Sequence, residues 1–498
     1  MATIRKQSIY SSLFIYAGFV FGAINVLYFF PKYFTPEQFG LTRILMDIAL
    51  IFSTLCTAGM IPIAFKFSPF YKHHLPRSKN DLFSLTFLVA FITCLLLLFA
   101  LPYFEPVIIR KFGYRSPLLV DFIDWIFPMT VGLVIFSLLE AYAWVISKNV
   151  VSNFLKEFLY RILVTLLISF WAFKWIQQFE TFIAFYAMLY FILIAAIGWV
   201  VYKSKYFSIT LIRSKLTTKY TPMMIKFGSA YFLSAVLNIL AKTNDTLIIA
   251  SQSSGGLKDA AIFTIATYLI TLMDVPQRSM VSSATVQIAE AWKTKDLAKL
   301  DRLYKKTALT LLITALGIMG MVLINAPLIV QYLGQTYAGL PLLLIILGAG
   351  KLIELGTGLN AQILQLSKHW RVDLFTNMFF VGISILLNYF LTKSFGLLGT
   401  AYGSVMAIIL FNLIRFIYIK KLLNLQPFSI SNAKAILIAM AWGLLCYAMP
   451  FEKSQLIGYI LKSILFFGGF SFTIVKMNLS PDISDLFHQV KNKILHSR

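Results

Sequence analysis

Six ionisable residues stand inside stretches that are otherwise apolar. Lys242 and Asp245 lie in "AVLNILAKTNDTLIIAS" (235–251), Asp274 and Arg278 in "TLMDVPQRSM" (271–280), and Lys351 and Glu354 in "GAGKLIELG" (348–356). Ionisable groups at such depth are costly and face a cavity or a partner. Lys242, Arg278 and Lys351 could replace the hydration of an anionic group such as a phosphate. Asp245, Asp274 and Glu354 could bind a coupling cation or balance those positive charges.

The spacing adds further polar residues to each group. Tyr231, Ser234, Asn238, Lys242 and Asp245 recur at steps of three and four, which places them on one helical face. Thr267, Thr271, Asp274, Arg278, Ser282 and Thr285 form a second stripe, with Pro276 as an expected kink. Lys351, Glu354, Gly358, Gln362 and Gln365 form a third. Glu157 and Arg161 are spaced for an i,i+4 ion pair of structural kind. Asp274 with Arg278 and Lys242 with Asp245 could likewise do no more than lock helices together. Three long one-sided stripes favour a shared hydrophilic cavity, lined by the segments that carry them. Lys242, Arg278, Lys351, Asn238, Tyr231 and Gln362 are then its candidate substrate-binding residues.

The elements that must position these residues are membrane helices. The 498 residues are 59% hydrophobic and 13% charged, about half the charge of a soluble domain, with a mean hydropathy of +0.79. Segments of about 20 apolar residues are read near 8–31, 43–66, 82–103, 119–143, 152–175, 179–202, 222–250, 260–287, 306–330, 339–366, 373–392, 397–419, 432–450 and 455–476. The fold class is thus an all-α polytopic membrane protein of about fourteen spans. The N-terminal run is too long for a signal peptide and is read as a retained helix.

With both termini cytoplasmic, roughly 28 Lys/Arg fall inside and roughly 9 outside, in keeping with the positive-inside rule. "RKFGYR" (110–115) is the local exception. The net charge of +24 therefore belongs to loops, and no nucleic-acid partner is expected. The three cysteines, Cys56, Cys94 and Cys446, sit in apolar runs without metal-ligand spacing, and no cofactor or metal is expected. The connections are too short for an appended soluble domain, and no nucleophile–base constellation appears; the chain is not read as an enzyme. Six spans (1–205), a basic linker (206–221), six more spans (222–421) and a helix pair with a cytoplasmic tail (422–498) suggest two pseudo-symmetric lobes, as in many transporters.

Several stretches then resemble a known family. "YFTPEQFGLTRIL" (33–45), "LAKTNDTLIIAS" followed by "DAAIFTIATYL" (259–269), "APLIVQYLGQTYAGLPLLLIILGAG" (326–350) and "LNYFLTKSFGLLGTAYGSVMA" (387–407) resemble, in order along the chain, the polysaccharide-exporter branch of the multidrug/oligosaccharidyl-lipid/polysaccharide (MOP) superfamily. The resemblance implies two six-helix lobes and alternating access. It also implies translocation of an isoprenoid-pyrophosphate-linked oligosaccharide from the cytoplasmic to the outer leaflet of the bacterial inner membrane, for surface polysaccharide, with H+ or Na+ as a possible coupling ion. The first span carries no cation, unlike the lipid II flippases, and lacks the acidic site of the multidrug antiporters; Asn25 is its most polar deep residue. A cation-coupled multidrug antiporter and a membrane glycan polymerase or ligase are the rival readings.

Overall fold

The computed structural model describes residues 2–204, 209–210, 212–449 and 455–480. The expected cytoplasmic tail from 481 on and part of the basic linker lie outside the described residues, as does the side chain of Ser282 in the second stripe. Every regular element among the described residues is helical. Eleven helices are long and apolar enough to cross a membrane, and the chain is a multi-pass membrane protein. It divides into two compact units, Met1–Thr264 and Ile265–Arg498.

The first unit begins with α1 (Ala2–Ile24), which passes through a π turn, Asn25–Phe29, into α2 (Phe30–Tyr33). Next comes α3 (Pro36–Thr57), started by a capping box in which Thr35 and Gln38 exchange side-chain and backbone bonds, with Pro36 at the first helical position. Gly40 in its second turn has a packing reason: a Cβ there would stand 1.9 Å from the carbonyl oxygen of Leu257. The second expected span is broken at Ala58 and Gly59, both left-handed, and continues as α4 (Met60–His74).

After α5 (Leu82–Phe112) and the short α6 (Pro117–Asp121) comes α7 (Ile126–Val145), which packs on α3, α4 and α10 (Phe179–Lys203). Between them, α8 (Asn149–Asn153), a π turn at Phe154–Leu159 and α9 (Tyr160–Ala172) make up the fifth span. Next, α11 (Lys215–Gln252) packs on α3 and α4. At 38 residues it is about 57 Å long, well beyond the ~30 Å of bilayer hydrocarbon. Its first turns, capped by Ser214 accepting from the Thr217 amide, extend past the apolar layer.

The helix α12 (Gly256–Thr271) leads into the second unit. There α13 (Asp274–Lys293) follows after a two-residue break, and then α14 (Leu297–Leu333), which packs against α15 (Leu340–Gly356), α18 (Ile430–Ala448) and α19 (Gln455–Lys476). The tenth span stops at Gly356 and resumes as α16 (Asn360–Gln365). Finally, α17 (Trp370–Leu423) contains two spans joined at Gly396, whose φ of 59° and ψ of −138° form a conformation open essentially to glycine alone.

The fourteen expected spans all fall on these helices. The fifth and eighth are not among the eleven long apolar helices, and the reason is physical. Each carries charges and each is interrupted beside them, by the π turn that holds Lys156 and Glu157 and by the break ahead of Asp274.

Candidate functional site

In the first unit, α3 presents Arg43 and Asp47 one turn apart, and Arg43 Nε lies 3.1 Å from Asp47 Oδ2. Asp47 is fully buried. The same oxygen accepts a hydrogen bond from Thr246 Oγ1 of α11 at 2.6 Å. One turn before Thr246 stands Lys242, which is exposed. Its electrostatic neighbours are Arg43, Asp47, Lys156 and Glu157, and no carboxylate among the described residues reaches ion-pair distance of it. Lys156 Nζ is held 3.0 Å from Glu140 Oε2 of α7. Glu157 and Arg161 pair at 3.1 Å.

The π turns help set this geometry. A π turn swings the side chains that follow it around the helix axis and frees local backbone groups, which is why such turns are frequent at functional sites. The turn in the fifth span carries Lys156 and Glu157, and the turn in the first span begins at Asn25. Asn25 Nδ2 donates to the Arg161 carbonyl at 2.9 Å, and its Oδ1 accepts from Thr165 Oγ1 at 2.8 Å. The most polar deep residue of the first span thus fastens it to the fifth.

Lys242 and Asp245 do not pair with each other. A long side chain on a helix points back toward its N-terminus, so Lys242 reaches away from Asp245 and toward the charges of α3 and the fifth span. Asp245 is half-buried, with Asn244 Nδ2 at 3.5 Å from its Oδ1. Tyr231 and Asn238 are exposed along α11, and the Tyr231 ring packs on Phe227 at 4.6 Å between centroids.

In the second unit, the break between α12 and α13 falls at Leu272 and Met273. Pro276 accounts for it: its ring cannot donate to the Leu272 carbonyl and clashes with it. The kink expected at Pro276 therefore appears one turn earlier and places Asp274 at the start of α13. There Asp274 Oδ1 meets Lys351 Nζ at 2.6 Å, and Lys351 also meets Glu354 Oε2 at 2.9 Å. The partner of Asp274 is thus Lys351, not Arg278. Lys351 is the more enclosed cation and must be paired, whereas Arg278 is exposed.

Gln362 sits half-buried on α16. Its neighbour Gln365 donates from Nε2 to Asp373 Oδ2 at 3.0 Å. Asp373 is the ion-pair partner of Arg415, which is 2% exposed. Arg415 further donates to Thr376 Oγ1 at 3.0 Å and Asn360 Oδ1 at 3.4 Å. Asn360 and Thr357 both donate to Asn412 Oδ1. This network ties α15, α16 and both halves of α17 together.

Sequence reasoning missed Arg43, Lys156 and Asp373. The Arg43–Asp47 pair left a readable i,i+4 signal. Nothing in the sequence marks Lys156 for Glu140, or Asp373 for Arg415.

Comparison with known proteins bears on the fold. No protein-family model and no curated protein matches the chain. Among solved structures, "Lipid II flippase MurJ, inward closed conformation" superposes with a TM-score of 0.72 at 14% identity, over 95% of this chain and 100% of that one. An inward-facing multidrug resistance MATE family transporter of the MOP superfamily gives 0.65 at 15% identity, over 82% and 94%. A mutant of the Vibrio cholerae MATE transporter VcmN gives 0.54 at 13% identity, over 85% and 98%. The chain has the all-helical fold shared by these MOP-superfamily flippases and transporters.

Proposed function

We propose that the chain is a flippase that moves an isoprenoid-pyrophosphate-linked oligosaccharide from the cytoplasmic to the outer leaflet by alternating access. The observation that carries this reading is the charge balance of the cluster that α3, α7, the fifth span and Lys242 of α11 form in the first unit. Four cations, Arg43, Lys156, Arg161 and Lys242, face three carboxylates, Asp47, Glu140 and Glu157. The three pairs account for every member except Lys242, which is exposed. A surplus ammonium among membrane helices supplies what a pyrophosphate loses with its water. In the second unit, exposed Arg278 offers a guanidinium suited to bidentate phosphate contacts. Lys351 lies within ion-pair distance of both Asp274 and Glu354. Protonation of both carboxylates would release it for the headgroup, which gives a route for coupling to protons.

The fold supports a transporter, and the ordered motifs favour a lipid-linked sugar as its cargo. The test is depletion of the protein followed by identification of the intermediate that accumulates. Lipid-linked oligosaccharide held at the cytoplasmic face is the expected result, with Lys242→Met reproducing it and Lys242→Arg relieving it. Normal surface glycan with altered drug sensitivity would instead establish the antiporter reading. Lengthening or transfer of glycan by the purified protein would establish a polymerase or ligase.

A further inference from the structure

A cavity of about 730 Å3 opens in the first unit between α4, α5 and α11, away from the charged cluster above. Asp81, Arg213 and Thr217 line its polar end, and Leu88, Ile225 and Phe232 line its apolar one. Thr217 and Phe232 are fifteen residues apart on α11, so the lining runs for about 22 Å along that helix. That length exceeds the ~15 Å depth of one leaflet's hydrocarbon. The volume lies within the range of pockets that enclose a small organic ligand.

The polar end is built, and it is incomplete. Asp81 is 4% exposed. Its Oδ2 accepts from the Ser214 amide at 2.9 Å and from Thr217 Oγ1 at 2.7 Å. Its Oδ1 accepts nothing, although a buried carboxylate oxygen without a partner is expensive. Tyr71 hydrogen-bonds Thr217 at 2.7 Å, and burial pushes its hydroxyl up to about 12. Arg213 is exposed and uses one N–H on Thr221 Oγ1 at 2.7 Å, which leaves the rest of its donor fork open.

A buried carboxylate oxygen without a partner calls for a cationic donor. An open guanidinium beside it calls for a phosphate, and the long apolar trough calls for a hydrocarbon chain. We propose that this cavity binds one phospholipid whose headgroup carries a primary ammonium. The ammonium donates to Asp81 Oδ1, the phosphate lies on Arg213, and an acyl chain follows α11 past Leu88 to Phe232. The site is separate from the Lys242 cluster, so its failure would leave the transport reading untouched.

The experiment is native mass spectrometry of the full chain in detergent with phosphatidylethanolamine, phosphatidylglycerol or phosphatidylcholine added. One phosphatidylethanolamine is retained per chain, with a preference over both other lipids of about tenfold, the value of a charge-assisted hydrogen bond. Asp81→Asn abolishes that preference. Arg213→Gln lowers retention of all three lipids and keeps their order. Leu88→Trp obstructs the trough without touching either headgroup residue and lowers retention of all three. This last variant decides the matter if Asp81→Asn does not fold. Equal retention of the three lipids by the unaltered chain, or unchanged retention by Leu88→Trp, would overturn the proposal. So would displacement of the lipid by glycerophosphoethanolamine at equal concentration, because that ligand has no chain to occupy the trough.

Discussion

Lys351 is the single side chain on which two carboxylates depend. Its side chain is 16% exposed, against 20% for Asp274 and 33% for Glu354. Replacing it by Met would leave two negative charges close together without a cation. The expected cost is about 3 kcal/mol, at the lower end for a broken buried pair because Glu354 still reaches solvent. Asp274→Asn is expected to cost much less, since Glu354 keeps Lys351 paired. Thermal unfolding of the two variants in detergent checks the order, and equal losses would contradict it. Arg415→Met should cost more than either, about 4 kcal/mol, because its partner Asp373 is buried and Thr376 and Asn360 lose a donor as well.

The residues also show which pairings a sequence reveals. Glu157 with Arg161 and Arg43 with Asp47 lie one helical turn apart, and helix geometry alone brings such residues together. Asp47 reaches Thr246, 199 positions away, and Arg415 reaches Asn360, 55 positions away. These contacts exist only once the helices have packed. For Lys242, the one-sided stripe was legible, and the direction in which its ammonium extends was not.

At the scale of elements, charge and helix interruption coincide in two spans, the fifth and the eighth. In both, the interruptions lie beside ionisable residues, and the breaks decide what those residues meet. Pro276→Ala removes the clash with the Leu272 carbonyl and is expected to let α12 run on into α13, rotating Asp274 away from Lys351. Spin labels on the two helices would move apart as the bend opens, and an unchanged distance would show that Pro276 does not set the break. Gly396→Ala forces a Cβ into a backbone region reserved for glycine and is expected to cost about 1–3 kcal/mol, read as a lower unfolding temperature.

The α13–α14 connection has its own pH dependence. Lys299 Nζ sits 2.8 Å from Glu290 Oε2 and holds that carboxyl below its ordinary value of 4.5. A depressed folded value means that the pair contributes stability above the ordinary value and loses it as pH falls through the lowered one. Both side chains are solvated, so the contribution is small. Glu290→Gln should lower the unfolding midpoint slightly at pH 7, and the difference from the unaltered chain should vanish in acid.

For the whole molecule, hydropathy was enough to find the spans that fall on the eleven long apolar helices, because bilayer thickness fixes helix length and leaves the composition little freedom. It did not show where spans are interrupted, since a π turn or a left-handed pair such as Ala58 and Gly59 leaves the hydropathy unchanged. The orientation drawn from the loop charges makes a direct prediction. A cysteine replacing Tyr114, which is 95% exposed, is expected to react with an impermeant maleimide added outside intact cells. A cysteine replacing His73 is expected to react only after permeabilisation. The opposite pattern would invert the topology and with it the direction of transport proposed above.

The π turn at 154–159 also has a consequence for the chain's tolerance of length changes. Such a turn holds one residue more than an α-helix of the same rise, so the fifth span carries a spare residue. Removing Phe158 would let the flanking turns close into a regular helix. It would also bring Glu157 from i,i+4 to i,i+3 spacing with Arg161, still on neighbouring positions of the helix. The shortened chain is expected to insert and fold with the geometry of that pair altered, whereas a deletion in the uninterrupted α10 would misalign a whole buried face. That single codon is therefore a place where the gene could lose or gain a residue and change the site while keeping the fold.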